Sequence, residues 1–157
     1  MKIKIRVTNE EHLVHFRTLF FDVFTEKYLL GHPVSGFFSS MRIPNYPHFF
    51  EDCLKPASSS GYANYAGFTR GPSAGDSENP TLNDQEVEIG GDPYGDVVIP
   101  LHDFLNISLG LARKVLEETD VRNLLERELI NNEWIESIQL CIPKIEAQLA
   151  ALNIDNT

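Results

Sequence analysis

The second half of the chain constrains the fold most strongly, because its apolar residues recur at helical spacing over residues 97–152. Intervals of three or four positions between apolar residues place them on one face of an α-helix. The first run follows Pro100, which suits a first helical turn because it has no N–H to leave unpaired. A second run starts at Asp120, and Asn131-Asn132 separates it from a third. Three amphipathic helices are predicted, and each needs a surface to cover.

The third run carries Trp134, Ile138 and Ile145 on one stripe and has Pro143 within it. Proline removes one helical hydrogen bond and crowds the preceding turn, so we expect a kink or a split at this position. If the stripe were exposed, it would provide a dimer interface. One functional interpretation is therefore a helical oligomerisation or interaction module.

The first half of the chain is expected to supply the surface that these helices cover. Its patterns predict a half-buried strand at Met1–Val7, a long buried helix from Thr8 to Leu30, an irregular loop from Gly36 to Pro47, a short helix from His48 to Leu54, a turn at Ser58–Gly61, and short strands at Tyr62–Arg70, Gln85–Ile89 and Tyr94–Ile99. Residues 71–80 have the composition of an exposed, mobile loop.

One domain, residues 1–157, accommodates these elements. We predict a mostly helical α+β fold, in which a small antiparallel sheet packs against the long N-terminal helix and the C-terminal helices. The aromatic residues Phe37, Phe38, Tyr46, Phe49 and Phe50 are expected to pack in the core rather than to form a partner-facing patch.

The formal net charge is −10, and the acidic residues are densest in the middle of the chain. Residues 71–99 contain seven acidic and no basic residues, whereas residues 1–70 contain eight basic and six acidic ones. Phosphate contacts require Lys and Arg, so this charge argues against binding to nucleic acids and to anionic membranes. Carboxylates instead favour fast encounter with a basic protein partner. The predicted partner-binding residues are Asp76, Glu78, Asp84, Glu86, Glu88, Asp92 and Asp96, with Tyr94 as an aromatic anchor.

Cys53 and Cys141 are the only cysteines, and neither belongs to a C-x-x-C pair. This usage predicts reduced, buried thiols rather than a disulfide framework or a zinc site. Residues 1–7 alternate basic with apolar side chains and lack the apolar core of a signal peptide, and no apolar stretch approaches the ~18 residues of a membrane span. We therefore expect a cytoplasmic protein, and no motif indicates a cofactor.

Two patterns with chemical associations are incomplete. Gly71-Pro72-Ser73-Ala74-Gly75 matches G-x-S-x-G, but no helix can begin directly after it, as a nucleophile elbow requires. The carboxylates Glu86, Glu88, Asp92 and Asp96 lack the spacing of a calcium-binding loop. Neither pattern predicts a catalytic or metal-binding residue.

The histidines suggest an alternative class of function. His102-Asp103 is similar to part of a metal-dependent phosphohydrolase site, and His12 and His15 are three residues apart on the predicted N-terminal helix. None of these spacings matches a specific zinc motif, and a helix N-terminus explains Asp103 equally well. The alternative is a small enzyme or ligand-binding domain whose pocket contains His12, His15 or His102.

In size, acidity and loop-borne carboxylates, the chain resembles the small, acidic immunity proteins with which bacteria neutralise toxins, such as those of contact-dependent inhibition systems. The resemblance implies tight binding to a toxin, for instance a basic nuclease whose active site accepts phosphates. Carboxylates of the immunity protein would then cover that active site. The leading hypothesis is accordingly a toxin inhibitor without enzymatic activity.

Overall fold

Short strands and five helices make up the part of the chain that the structure, a computed structural model, describes. These residues are 5–7, 14–16, 28, 32–41, 43–56, 59–63, 66–72, 81–91, 95–118, 121–126, 128 and 130–155. The strands are β1 (Ile5–Val7), β2 (Val14–Phe16), β3 (Ser59–Ala63), β4 (Ala66–Arg70), β5 (Glu86–Gly91) and β6 (Gly95–Pro100). The helices are α1 (Pro33–Ser40), α2 (Tyr46–Cys53), α3 (Leu101–Glu118), α4 (Val121–Glu126) and α5 (Asn132–Asp155), with a 3₁₀ turn at Ile43–Asn45. The predicted α+β class is confirmed.

The larger sheet is an antiparallel meander in the order β3-β4-β5-β6, and β1 pairs separately with β2. Successive side chains of a strand point to opposite faces of its sheet. Phe68, Val87, Ile89 and Ile99 are buried and therefore lie on one face, the inner face. Helices α1 and α3 contact β5 and β6, so they cover this inner face.

Helices α3 and α5 pack against each other through the apolar stripes that the sequence predicts. The buried residues of α3 include Leu101, Phe104, Leu105, Leu111, Ala112 and Val115, and those of α5 include Trp134, Ile138, Cys141, Ile145 and Leu149. Helix α5 begins where the Asn131 side chain accepts a hydrogen bond of 2.9 Å from the Trp134 N–H, which is an N-cap interaction. The predicted break before the third helix is therefore confirmed.

Six phenylalanine rings connect four elements in the centre of the core. They are Phe37 and Phe38 of α1, Phe49 and Phe50 of α2, Phe68 of β4 and Phe104 of α3. We call this group the aromatic cluster. Its ring centroids lie 5.1–6.4 Å apart, mostly in edge-to-face or tilted arrangements, which is the geometry that the ring quadrupoles favour. Phe37, Phe38, Tyr46, Phe49 and Phe50 are all buried, as expected for core residues.

The C-terminal end of α2 is held by side chains from two other elements. The Arg70 guanidinium of β4 donates to the Cys53 carbonyl over 2.7 Å, and the Gln148 amide of α5 donates to the Leu54 carbonyl over 2.8 Å. The last carbonyls of a helix lack partners within the helix and carry its partial negative charge. Arg70 is buried, and desolvation lowers the pKa of its guanidinium. These bonds connect α2 to the sheet and to α5.

Several predicted boundaries differ from the structure in the N-terminal part. Val14–Phe16, placed within the helix from Thr8 to Leu30, form strand β2 and pair with β1. Apolar residues are so dense there that their pattern fits both the helical period of 3.6 residues and the strand period of two. Pairing with the apolar strand β1 favours the extended form. Apart from β2 and Tyr28, the predicted helix lies outside the described residues.

Other corrections concern residues 33–63. The loop predicted from Gly36 to Pro47 contains most of α1, which begins with Pro33 after His32, whose Nδ1 accepts a hydrogen bond from the Val34 N–H. The predicted turn at Ser58–Gly61 and strand at Tyr62–Arg70 are instead the paired strands β3 and β4. Proline at a first helical position is the signal for α1 that the aromatic composition obscured.

The C-terminal helices bear on two further expectations. Of the kink or split predicted at Pro143, the split does not occur, because helix α5 continues through this residue. Pro143 and Gln139, the residue whose carbonyl loses its helical partner, are both exposed, so water can satisfy that carbonyl. The stripe of Trp134, Ile138 and Ile145 is buried in the chain's own core, which contradicts an exposed dimer interface on these residues. None of the described helices has the length and apolar content that a membrane crossing needs.

Replacing Phe49 by alanine is expected to lower the free energy of unfolding by about 3–5 kcal/mol, because it removes a buried ring that packs on Phe37, Phe38, Phe50, Phe68 and Phe104. Urea unfolding followed by the fluorescence of Trp134, the single tryptophan, measures this change. Leu140→Ala is the control, because Leu140 is 63% exposed and its truncation should cost less than about 0.5 kcal/mol. A loss below about 1 kcal/mol for Phe49→Ala would contradict a central role for this ring.

Alkaline pH should destabilise the fold, because burial raises the pKa of the free thiols Cys53 and Cys141 and of the Tyr46 phenol. Groups with a raised folded-state pKa stabilise the protein below their unfolded pKa, and this contribution is lost as the pH rises further. Above about pH 8.5, a thiol that stays protonated only in the folded state lowers stability by about 1.4 kcal/mol per pH unit. Urea unfolding between about pH 8 and pH 10.5 should show a shallower decline for Cys53→Ala than for Val115→Ala, which shortens a buried side chain that cannot titrate. Equal slopes in both variants would show that the Cys53 thiol does not contribute.

Candidate functional site: an acidic sheet face

The outer face of the sheet, opposite the face that α1 and α3 cover, collects the described carboxylates of the acidic middle segment. Glu86 and Glu88 alternate with the buried Val87 and Ile89 along β5, so their side chains lie on the outer face. Asp96 and Val98 lie on the same face of β6, since Val98 is opposite Glu88 in the register. Asp84 lies in the turn that precedes β5. We call Asp84, Glu86, Glu88, Asp96 and Val98 the acidic face.

The turn before β5 is closed by hydrogen bonds that position its carboxylates. The Asn83 side chain accepts from the Gln85 N–H over 2.8 Å, and the Asn83 N–H donates to Oε1 of Glu86 over 3.0 Å. The Glu86 N–H in turn donates to the Asn83 carbonyl over 3.2 Å. Asparagine favours such local bonds, which compete with regular structure and stabilise turns. The Glu86 carboxylate is therefore held in place by the backbone.

This turn is also connected to the rest of the fold on both sides. The Gly71 N–H after β4 donates to the Glu86 carbonyl over 2.9 Å, and the Leu101 N–H at the start of α3 donates to the Gln85 carbonyl over 2.7 Å. Leu82, immediately before the turn, is buried. The acidic face thus sits on an anchored turn and on paired strands, so a partner can bind it with little ordering of the backbone.

A shallow depression of about 430 Å³ lies between the turn and the end of β6. Its lining combines the carboxylates of Asp84 and Glu86 with the apolar side chains of Val98 and Pro100. Val98 is 38% exposed, which is unusual for a large apolar side chain in the described part of this protein. Lysine and arginine have apolar stems and charged ends, so the lining is complementary to either side chain.

Three carboxylates of the acidic face lack an opposing positive charge within the described residues. Asp84, Glu86 and Asp96 form no ion pair with any residue in the described ranges. Asp84 and Asp96 are exposed, and Glu86 and Glu88 are half-buried. Carboxylates grouped in this way create a negative potential that attracts a basic partner.

Gly90 brings β5 and β6 together beside Asp96. A Cβ atom at Gly90 would lie 2.3 Å from the Asp96 carboxylate and 2.3 Å from the Gly95 carbonyl. Gly95 itself has a φ of +83°, a backbone conformation that glycine adopts without strain. The two glycines therefore place the Asp96 carboxylate directly over β5.

The structure brings together four of the predicted partner-binding residues, namely Asp84, Glu86, Glu88 and Asp96. The other four, Asp76, Glu78, Asp92 and Tyr94, lie outside the described residues, as do residues 73–80 of the predicted loop. Val98, Asn83 and Pro100 were not among the predicted site residues. Alternation along the strand places Val98 on the face opposite Val97 and Ile99, but the apolar run alone does not indicate which face is exposed.

The histidines named as alternative site residues do not converge within the described ranges. His15 lies in strand β2 rather than on a helix, and His12 is outside the described residues. His102 lies near Asp103, with 3.8 Å between Nδ1 and Oδ1, while Asp103 accepts a hydrogen bond of 2.5 Å from the Tyr28 hydroxyl. Among the residues that the structure describes, no group of three or more His, Cys, Asp or Glu side chains could hold a metal ion.

A different histidine lines a cleft between α2 and the start of α5. This cleft has a volume of about 300 Å³, and its lining includes His48, Glu51, Glu133 and Trp134. Nε2 of His48 lies 3.3 Å from the Asp52 carboxylate, in an i,i+4 arrangement on α2. The cleft is thus a second, smaller acidic site, on the helical side of the protein.

Comparisons of the chain with protein-family models, with curated proteins and with solved structures find no match.

Proposed function

We propose that the protein binds a basic protein partner through the acidic face, and that this partner is a toxin which it inhibits. The observation that carries the proposal is that Glu86, Glu88 and Asp96 lie on the outer face of one sheet, with Asp84 in the adjoining turn. Exposed carboxylates on a prearranged surface raise the rate of association with a basic protein and favour it over acidic ones.

The chemistry of the depression supports binding of lysine or arginine. A guanidinium or ammonium group would lie between the Asp84 and Glu86 carboxylates, while its methylene stem contacts Val98 and Pro100. One oxygen of Glu86 already accepts from the Asn83 N–H, which fixes the orientation of the carboxylate before binding. Close charge pairs in comparable interfaces have coupling energies of about 1.5–7 kcal/mol.

The toxin part of the proposal is supported by charge and by the resemblance to immunity proteins. Enzymes that cleave nucleic acids need basic surfaces to hold phosphates, and an acidic face can compete for those surfaces. The carboxylates would then cover the basic site and exclude its substrate. In this proposal the protein acts in the cytoplasm, without enzymatic activity of its own, and binds neither nucleic acid nor membranes.

A charge-reversal experiment tests the acidic face. Asp84→Lys combined with Asp96→Lys should abolish capture of a basic partner from a lysate of the native source, because both carboxylates are exposed and neither caps the backbone. The matched control is Glu117→Lys combined with Glu136→Lys, which makes the same charge change at exposed positions of α3 and α5. The control should retain the partner, and salt should weaken its retention.

The captured partner then tests inhibition directly. Its activity, once identified, should fall in proportion to added wild-type protein and control variant, but not with the charge-reversal variant. Equal capture by all three proteins would overturn the acidic face as the binding site. Capture with no loss of the partner's activity would overturn inhibition while leaving binding in place.

The cleft between α2 and α5 supports a second candidate function, which is binding of a small cationic ligand. The favouring observation is that the carboxylates of Glu51 and Glu133 line it together with His48 and Trp134. Calorimetric titration with spermidine and with arginine amide as probes should give heat of binding that Glu133→Gln reduces. Trp134 fluorescence should change in parallel. No binding of either probe would exclude this candidate for ligands of that class.

A further inference from the structure

Strand β6 forms one edge of the larger sheet and pairs, within the described residues, with β5 alone. An edge strand presents unpaired N–H and C=O groups, which another extended chain can use. The pairing pattern determines which groups these are.

A single hydrogen bond sets the pattern. The Leu101 N–H donates to the Gln85 carbonyl over 2.7 Å, and these two residues are opposite each other one position beyond the Glu86–Pro100 pair. Hydrogen-bonded and non-hydrogen-bonded pairs alternate along an antiparallel ladder. Val87–Ile99 and Ile89–Val97 are therefore the hydrogen-bonded pairs of β5 and β6. Asp96 and Val98 direct their N–H and C=O groups away from β5.

The other side of β5 agrees with this assignment. The Gly71 N–H donates to the Glu86 carbonyl over 2.9 Å, so Glu86 and, by alternation, Glu88 bond towards β4. Val87 and Ile89 are left to bond towards β6. Gly90 and Asp96 form a non-hydrogen-bonded pair, which is the closer type, in keeping with the short distance that an added Cβ at Gly90 would have to Asp96.

The outer edge of β6 is accessible. Gly95, Asp96, Val98 and Pro100 are all exposed, and the outward N–H and C=O groups of Asp96 and Val98 have no hydrogen-bond partner in the described part of the chain. Natural edge strands are commonly protected by lysine, proline or a bulge. β6 has no lysine and pairs with β5 without a register shift, and its one proline stands at the last position.

We infer that β6 accepts an extended segment of the partner as an added antiparallel strand, with basic residues at every second position. The inference rests on the proposed function, because it specifies the partner's chemistry at the same face. Residues of the added strand that bond to Asp96 and Val98 would place their side chains on the outer face, beside the carboxylates. The intervening residues would lie beside Val97, which is half-buried and packs against the core, so they would be apolar.

Backbone pairing can be separated from charge attraction with peptide probes. The parent probe is a peptide of alternating Lys and Val, about six residues long and blocked at both ends. N-methylation of its Lys residues removes the donors that face β6 but keeps every charge, and N-methylation of its Val residues removes donors on the opposite edge. The Lys-methylated probe should bind at least about tenfold more weakly than the parent, and the Val-methylated probe should bind within about twofold of it.

Variants of the protein test the same bonds from the other side. Val98→Pro removes one outward N–H at a position where an edge strand tolerates proline, whereas Val98→Thr keeps the N–H. Val98→Pro should weaken binding of the parent probe about tenfold, and Val98→Thr should weaken it about twofold or less. Urea unfolding verifies that both variants fold. If Val98→Pro does not fold, the comparison of the three peptides on the wild-type protein decides the question.

Three results would overturn the inference. Equal binding of all three peptides would exclude backbone pairing with β6. If the Asp84→Lys, Asp96→Lys variant then failed to bind these peptides, the acidic face would remain the binding site. Weaker binding of the Val-methylated probe than of the Lys-methylated probe would exclude the antiparallel arrangement. A dimer in light scattering that Val98→Pro dissociates would show that a second copy of the chain occupies this edge. If every charge variant still captured the partner, the proposed function itself would be contradicted.

Discussion

Ring packing around Phe49 is the interaction on which the rest of the structure depends. Neither short helix α1 nor α2 is long enough to be stable alone, since isolated helices below about 12 residues are marginal in water. Their phenylalanines pack against Phe68 of the sheet and Phe104 of α3, so the helices and the inner face of the sheet become ordered together. Hydrogen bonds from Arg70 and Gln148 to the C-terminal end of α2 also fix the orientation of this helix. The position of the sheet, and with it the acidic face, follows from this packing.

The sheet separates two physical tasks between its two faces. Phe68, Val87, Ile89 and Ile99 remove apolar surface from water on the inner face, while the outer face carries carboxylates that contribute nothing to the core. Grouped like charges repel each other, so such a face weakens the fold slightly rather than stabilising it. Under the proposed function, the charge on this face serves binding rather than folding. Because hydrogen bonds anchor the turn at residues 83–86, its carboxylates would need little rearrangement to contact a partner.

Much of this architecture could be predicted from the sequence where one periodicity dominates. Helices α3 and α5 follow directly from their stripes of buried residues, and β5 and β6 from short apolar runs between turns. The N-terminal region was harder, because apolar residues crowd both periods around Val14–Phe16, where pairing with β1 decides the outcome. The acidic segment could be identified from charge alone, but the position of Asp96 on the same face as Glu86 and Glu88 depends on strand register. Val98 was missed because its exposure depends on which side of the sheet the helices cover.

The division between an apolar inner face and an acidic outer face has an evolutionary consequence. Asp84, Asp96 and Val98 can be replaced with little effect on the core, because Asp96 and Val98 lie on the side of the sheet away from the aromatic cluster and Asp84 is exposed in the turn before β5. Under the proposed function, mutations at these positions would change which partner the protein binds, while Phe49 and its neighbours preserve the fold. Gly90 limits this freedom, since any side chain there would collide with Asp96 and the Gly95 carbonyl. In that proposal, partner specificity could change through the acidic face without a change of fold.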